Sequence, residues 1–214
     1  MNRFSKLMTV LLLVFLSDHT FADELRSIGF GASNSSWGVV SKSILDFHGV
    51  PKAAIEKMKK VIEDGGAIRG IGFTPDGGWG VTYATKYENK IYWIARNVPQ
   101  EAIDYMNKRS QDNAQVLDMA FGPNNSWFVL TQKNDALEWR YKGVPDELAN
   151  YLATFSGGDG ILKGVGLTSH SGWTVISKTK SGEYFAKYKG IPQEAADKLG
   201  DILNANDEEW NFNL

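Results

Sequence analysis

Four stretches of this chain follow one pattern, and that repetition limits the fold more than any other feature. Ile28-Gly29-Phe30 leads to Trp37, and Ile71-Gly72-Phe73 leads to Trp79. Met119-Ala120-Phe121 leads to Trp127, and Val165-Gly166-Leu167 leads to Trp173. Each stretch is followed by an apolar residue and a proline: Val50-Pro51, Val98-Pro99, Val144-Pro145 and Ile191-Pro192. These prolines stand 46 to 48 residues apart, so several features recur in phase. The units run over about residues 26–66, 67–113, 114–159 and 160–206, with a tail at 207–214.

Each unit reads as three strands and a helix. The apolar–small–apolar triplet is a strand. A polar turn follows, such as Pro75-Asp76-Gly77-Gly78 or Pro123-Asn124-Asn125-Ser126, built of residues that tolerate positive φ. The second strand begins at the Trp; Trp127-Phe128-Val129-Leu130 is apolar throughout, as suits a strand covered on both faces. The third alternates, with Leu137, Trp139 and Tyr141 on one side and Glu138, Arg140 and Lys142 on the other. The proline then opens a helix as its first residue, and Glu101, Glu147 and Glu194 favour the positive helix end. Apolar residues recur at helical spacing, as in Leu148, Leu152 and Phe155.

Three antiparallel strands finish pointing away from where the next copy must start. The helix returns the chain, so every unit takes the same orientation. The centre of the first strand is Gly29, Gly72, Ala120 and Gly166 in turn, which implies crowding at one shared place. The expected fold is mainly β with helices: four βββα repeats in a small β-propeller-like ring, the helix standing in place of an outer fourth strand. An open βββα stack is the alternative.

The runs Phe-Thr-Pro-Asp-Gly-Gly-Trp-Gly-Val at 73–81 and Phe-Gly-Pro-Asn-Asn-Ser-Trp-Phe-Val at 121–129 resemble tandem repeats of bacterial β-propeller-like proteins that are exported or surface-linked. That resemblance implies a repeat fold and export, and it brings no catalytic residues. The Gly-His and Trp-Asp signatures of WD40 repeats are missing.

Arg3 and Lys6 precede a ten-residue apolar run at 7–16, and Thr20-Phe21-Ala22 places small residues at a cleavage site. The expectation is a signal peptide over 1–22, cut before Asp23, and a periplasmic or extracellular product with no membrane span after cleavage. Removing Arg3, Lys6 and Asp18 from 23 basic and 25 acidic residues leaves a slightly acidic chain, which argues against nucleic acid as a partner. The chain has no Cys, so thiol nucleophiles, thiolate metal sites and disulfides are excluded and burial alone must hold the fold.

No catalytic constellation stands out. His48 and His170 have no second ligand at metal spacing, and the polar turns hold too few carboxylates for calcium. No phosphate loop is present. No catalytic residue, metal or cofactor is therefore assigned. His170 beside Ser169 and Ser171 reads as an exposed turn histidine, and Trp37, Trp79, Trp127 and Trp173 as core. The candidate binding residues are Asp76, Asn124, Asn125 and His170 on the turns, with Trp93 and Trp139 on third strands. The expected function is an exported non-enzymatic binding module whose equivalent loops capture a glycan, peptide or protein surface. The alternatives are a hydrolase with a site assembled from several repeats and an assembly accessory protein of the envelope. Carboxylates or histidines converging at the ring centre would favour the enzyme; an apolar plug would favour a binder or scaffold.

Overall fold

The computed structural model describes residues 25–204 except 34, 43, 89 and 159. The signal segment and the tail predicted from the sequence lie outside the described residues. The first unit contains β1 (Ser27–Phe30), β2 (Trp37–Val40), β3 (Leu45–His48) and α1 (Lys52–Glu63). The second contains β4 (Ala67–Phe73), β5 (Trp79–Ala84), β6 (Ile91–Arg96) and α2 (Gln100–Gln111). The third contains β7 (Gln115–Phe121), β8 (Trp127–Lys133), β9 (Ala136–Lys142) and α3 (Asp146–Phe155). The fourth contains β10 (Ile161–Leu167), β11 (Trp173–Lys178), β12 (Tyr184–Lys189) and α4 (Gln193–Asn204). The βββα reading therefore holds in all four copies.

Each unit forms its own open, three-stranded antiparallel sheet in chain order. The recurrent Trp closes the first hairpin every time, pairing with Phe30, Phe73, Phe121 or Leu167. The ring arises between sheets: β1 packs against β4, β4 against β7, β7 against β10, and β10 against β1. Burial drives this association, since each apolar core spans two neighbouring units. Ala54, Met58 and Val61 of the first unit meet Ile71, Phe73 and Trp79 of the second. Ala102 and Met106 meet Met119, Phe121 and Trp127. Leu148, Leu152 and Phe155 meet Val165, Trp173 and Val175. The last core joins Ala195, Leu199 and Ile202 to Leu25, Ile28 and Trp37, so the fourth unit seals against the first.

The helices sit differently from the expected outer fourth strand. α1 bears on β4 and β5 and α2 on β7 and β8, while α4 bears on β2 and, less closely, on β12 of its own sheet. Each helix thus places its apolar stripe on the following sheet, where that sheet needs cover. The prolines also stand one residue earlier than predicted. Pro51, Pro99 and Pro145 are N-caps with ψ of 128°, 128° and 141°. Their carbonyls accept the first helical amides, as Pro51 does from Ala54 at 3.0 Å.

The shared small residue is explained by the ring. A Cβ on Gly72 would stand 2.5 Å from the Met119 carbonyl oxygen, and one on Gly166 would stand 2.6 Å from the Phe30 ring. The same contact from Gly29 meets Phe73 at 2.9 Å. Ala120 is accommodated where the next unit carries Leu167 in place of the Phe, and the two share one core.

Candidate functional site

The turns between first and second strands close by one scheme. Thr74 N–H donates to the Gly78 carbonyl at 2.9 Å, and Gly78 N–H donates to Thr74 Oγ1 at 2.7 Å. Thr168 and Gly172 repeat both bonds at 2.9 and 2.8 Å. In the third unit Gly122 N–H donates to the Ser126 carbonyl at 2.9 Å, with Asn124 and Asn125 both in the left-handed region, at φ 55° and 56°. The Thr hydroxyls and backbone satisfy these turns internally. Asp76, Asn124, Asn125 and His170 are left exposed.

Asp76, Asn124 and Asn125 come together. They line one cleft of about 470 Å³ between the second and third units, with Thr74, Pro123 and Asn97 among its other walls. His170 stands on the fourth turn, outside that cleft. Its Nδ1 lies 2.9 Å from Ser169 Oγ, and both are on the surface. Among the described residues no carboxylate bonds to His170, so nothing there orients a catalytic pair. Trp93 lines a separate cleft of about 440 Å³, where its Nε1 donates to Ser110 Oγ at 3.0 Å. Trp139 is half-buried against the core between the third and fourth units. Trp37, Trp79, Trp127 and Trp173 are core, at 7% exposure or less. A larger cleft of about 680 Å³, which the sequence did not indicate, runs between β12 and α4, along Tyr188, Ala196 and Gly200.

The axis holds a residue that motif reading passed over. The position before the apolar triplet is Ser27, Gly70, Asp118 and Gly164 around the ring. A backbone irregularity precedes it in the second, third and fourth units, between Ile68 and Gly70, Val116 and Asp118, and Leu162 and Gly164. Such bulges leave a ladder group to be satisfied elsewhere. Here Ile71 N–H donates to Ser27 Oγ at 3.0 Å, and Val165 N–H donates to Asp118 Oδ2 at 2.9 Å. Ser27 Oγ and Asp118 Oδ1, from opposite units, lie 2.7 Å apart. Gly70 and Gly164 make room: a Cβ on either would come within 2.6 or 2.7 Å of an Asp118 carboxylate oxygen.

Asp118 is wholly buried. Burial pushes its carboxyl up, and hydrogen bonds from Ser27, Val165 and the Met119 amide pull it partly back, leaving it at about 7. The alternation of Ser, Gly, Asp and Gly just before the apolar triplet was the signal available in the sequence. Among the described residues the ring centre thus holds one carboxylate with the Ser27 and Thr82 hydroxyls beside it, and is neither a converging set of carboxylates nor an apolar plug.

Among the described residues no three His, Asp or Glu side chains are grouped to hold a metal. No helix among them is long and apolar enough to cross a membrane. No family model matches the chain, and no curated protein or solved structure does.

Proposed function

We propose that the chain is an exported binding module that captures a glycan, peptide or protein surface on the rim formed by its first-to-second-strand turns. The observation that carries this reading is the cleft between the second and third turns, lined by Asp76, Asn124 and Asn125. Those side chains are exposed, and the turns close without them. Polar side chains that make none of the bonds closing the turns, set on a rigid scaffold, are suited to ligand contact. The equivalent turns of the other units offer further contacts in the same orientation, so weak contacts can add by avidity.

The test is a glycan array and a pull-down from envelope fractions, using the chain from Asp23 onward. Asp76→Ala, Asn124→Gly and His170→Ala should each weaken capture modestly. Glycine at 124 removes the side chain while keeping the positive φ. The three changes together should abolish capture. A bound partner retained at full strength by the triple variant would place binding elsewhere.

A further inference from the structure

The buried axial pair has no part in the rim reading, yet it touches every unit. Asp118 belongs to the third unit, and its oxygens meet Ser27 of the first and the Val165 amide of the fourth. Ser27 in turn receives the Ile71 amide of the second unit, and its Oγ lies 3.4 Å from the Ile71 carbonyl oxygen. Hydrogen-bonded strand pairing does not join the four sheets, so these side-chain bonds are polar ties between inner strands. We propose that the Ser27–Asp118 pair is a proton-linked tie across the ring axis, holding the four units most firmly when Asp118 carries a proton and loosening them when it is ionised.

The geometry provides both bonding patterns. With Asp118 ionised, the Ser27 hydroxyl donates to Oδ1 across 2.7 Å, and the Ile71 carbonyl receives nothing from it. With Asp118 protonated, Oδ1–H donates to Ser27 Oγ, and the Ser27 hydroxyl turns to the Ile71 carbonyl at 3.4 Å. The proton thereby extends one hydrogen-bond chain from the third unit through the first to the second. It also removes a charge from a fully buried position, which is the larger effect.

The ionisable residues next to the axial positions on the packed inner segments are Arg26, just before β1, Arg69 on β4 and Lys163 on β10, which directly precede Ser27, Gly70 and Gly164. Any pull from them favours the ionised form. On β5 the group at the site is Thr82, whose hydroxyl donates to the Leu117 carbonyl at 2.7 Å. On β8 the residue paired with Asp118 is Leu130. On α2, Arg109 is taken up by Glu138 at 2.8 Å and Asp112 at 3.9 Å.

The sign follows from linkage. The unfolded chain releases this proton near 3.8, and the folded chain holds it to about 7. Stability from this group is therefore complete below about pH 4 and is lost as the pH rises to about 7. The experiment compares thermal melts of the full chain and Asp118→Asn from about pH 5 to about pH 9. An Asn amide keeps a donor for Ser27 and an acceptor for Val165 but cannot ionise. Wild type should lose melting temperature relative to the variant as the pH rises from about 5 to about 7 and then level off above that; His48 and His170 are common to both and cancel. Carbon-13 NMR of the Asp118 carboxyl in the wild type should show it titrating near neutrality, and this readout stands even if the variant does not fold. Parallel melting profiles, or a carboxyl already ionised at about pH 5, would overturn the proposal.

Discussion

At the axis, Ser27, Thr82 and Asp118 are completely buried and bonded to other units. At the rim, Asp76, Asn124, Asn125 and His170 face water on turns that close without them. The two sets are alike in polarity and lie only a few residues apart along the repeat. They differ in what satisfies them: strands of other units at the axis, and solvent or a ligand at the rim. A buried polar group must be matched by the protein, so the axis tolerates little change. The rim is free to vary, which is the condition for a binding surface.

The largest effect that probes this contrast lies next to the axis, in the cores between units. Trp127 is 3% exposed and packs with Met106 of the preceding helix and Phe121 of its own sheet. Trp127→Ala should cost about 3–5 kcal/mol in a denaturant or thermal melt. Its Nε1 has no hydrogen-bond partner among the described residues, so Trp127→Phe should cost much less than Trp127→Ala. An unchanged melt for Trp127→Ala would mean that the recurrent tryptophans do not hold the units together.

The second effect concerns the small residue of the first strand and is of intermediate size. Gly166→Ala would place a Cβ 2.6 Å from Phe30 and 3.0 Å from the Ile28 carbonyl, across the seam between the fourth and first units. Overpacking of this kind should cost about 1–3 kcal/mol. The interface between the third and fourth units already carries the compensated pair, Ala120 with Leu167. Phe30→Leu should therefore recover part of the loss when combined with Gly166→Ala, a coupling that a double-mutant cycle measures. Strict additivity would show that the small residue does not answer to its neighbour across the ring.

These two predictions rest on features the sequence displayed unevenly. The four units, their strand and helix types and the burial of the tryptophans were legible because apolar spacing and turn residues recur in phase. The crowding inferred from Gly29, Gly72, Ala120 and Gly166 is present. The position of the helices was not legible. An apolar stripe says that a face must be covered but not whose sheet covers it, and the helices chose the next unit. Asp118 was missed for a similar reason. A lone carboxylate in Val116-Leu117-Asp118-Met119 looks like an edge residue until the ring brings Ser27 opposite it. The cleft joining Asp76 to Asn124 and Asn125 also depends on neighbouring turns meeting, which one unit by itself does not show.

The smallest expected effect lies on the rim and sharpens the contrast from the other side. Asp76 is exposed, and its turn is held by Thr74, Gly77 and Gly78 through backbone and hydroxyl bonds. His170 is exposed on a turn held by Thr168 and Gly172, and its one side-chain bond is to Ser169 on the surface. Asp76→Ala and His170→Ala should each change stability by no more than about 0.5 kcal/mol, as for surface positions outside any network. Asn124→Ala should cost slightly more than Asn124→Gly, because φ of 55° suits Gly better than Ala. Urea denaturation of the four single variants, with equal slopes, is the measurement. A loss above about 1 kcal/mol for Asp76→Ala would show that the rim side chain helps to hold the turn or the neighbouring unit. The rim would then share the structural duty of the axis, and its polarity would no longer be free for a ligand.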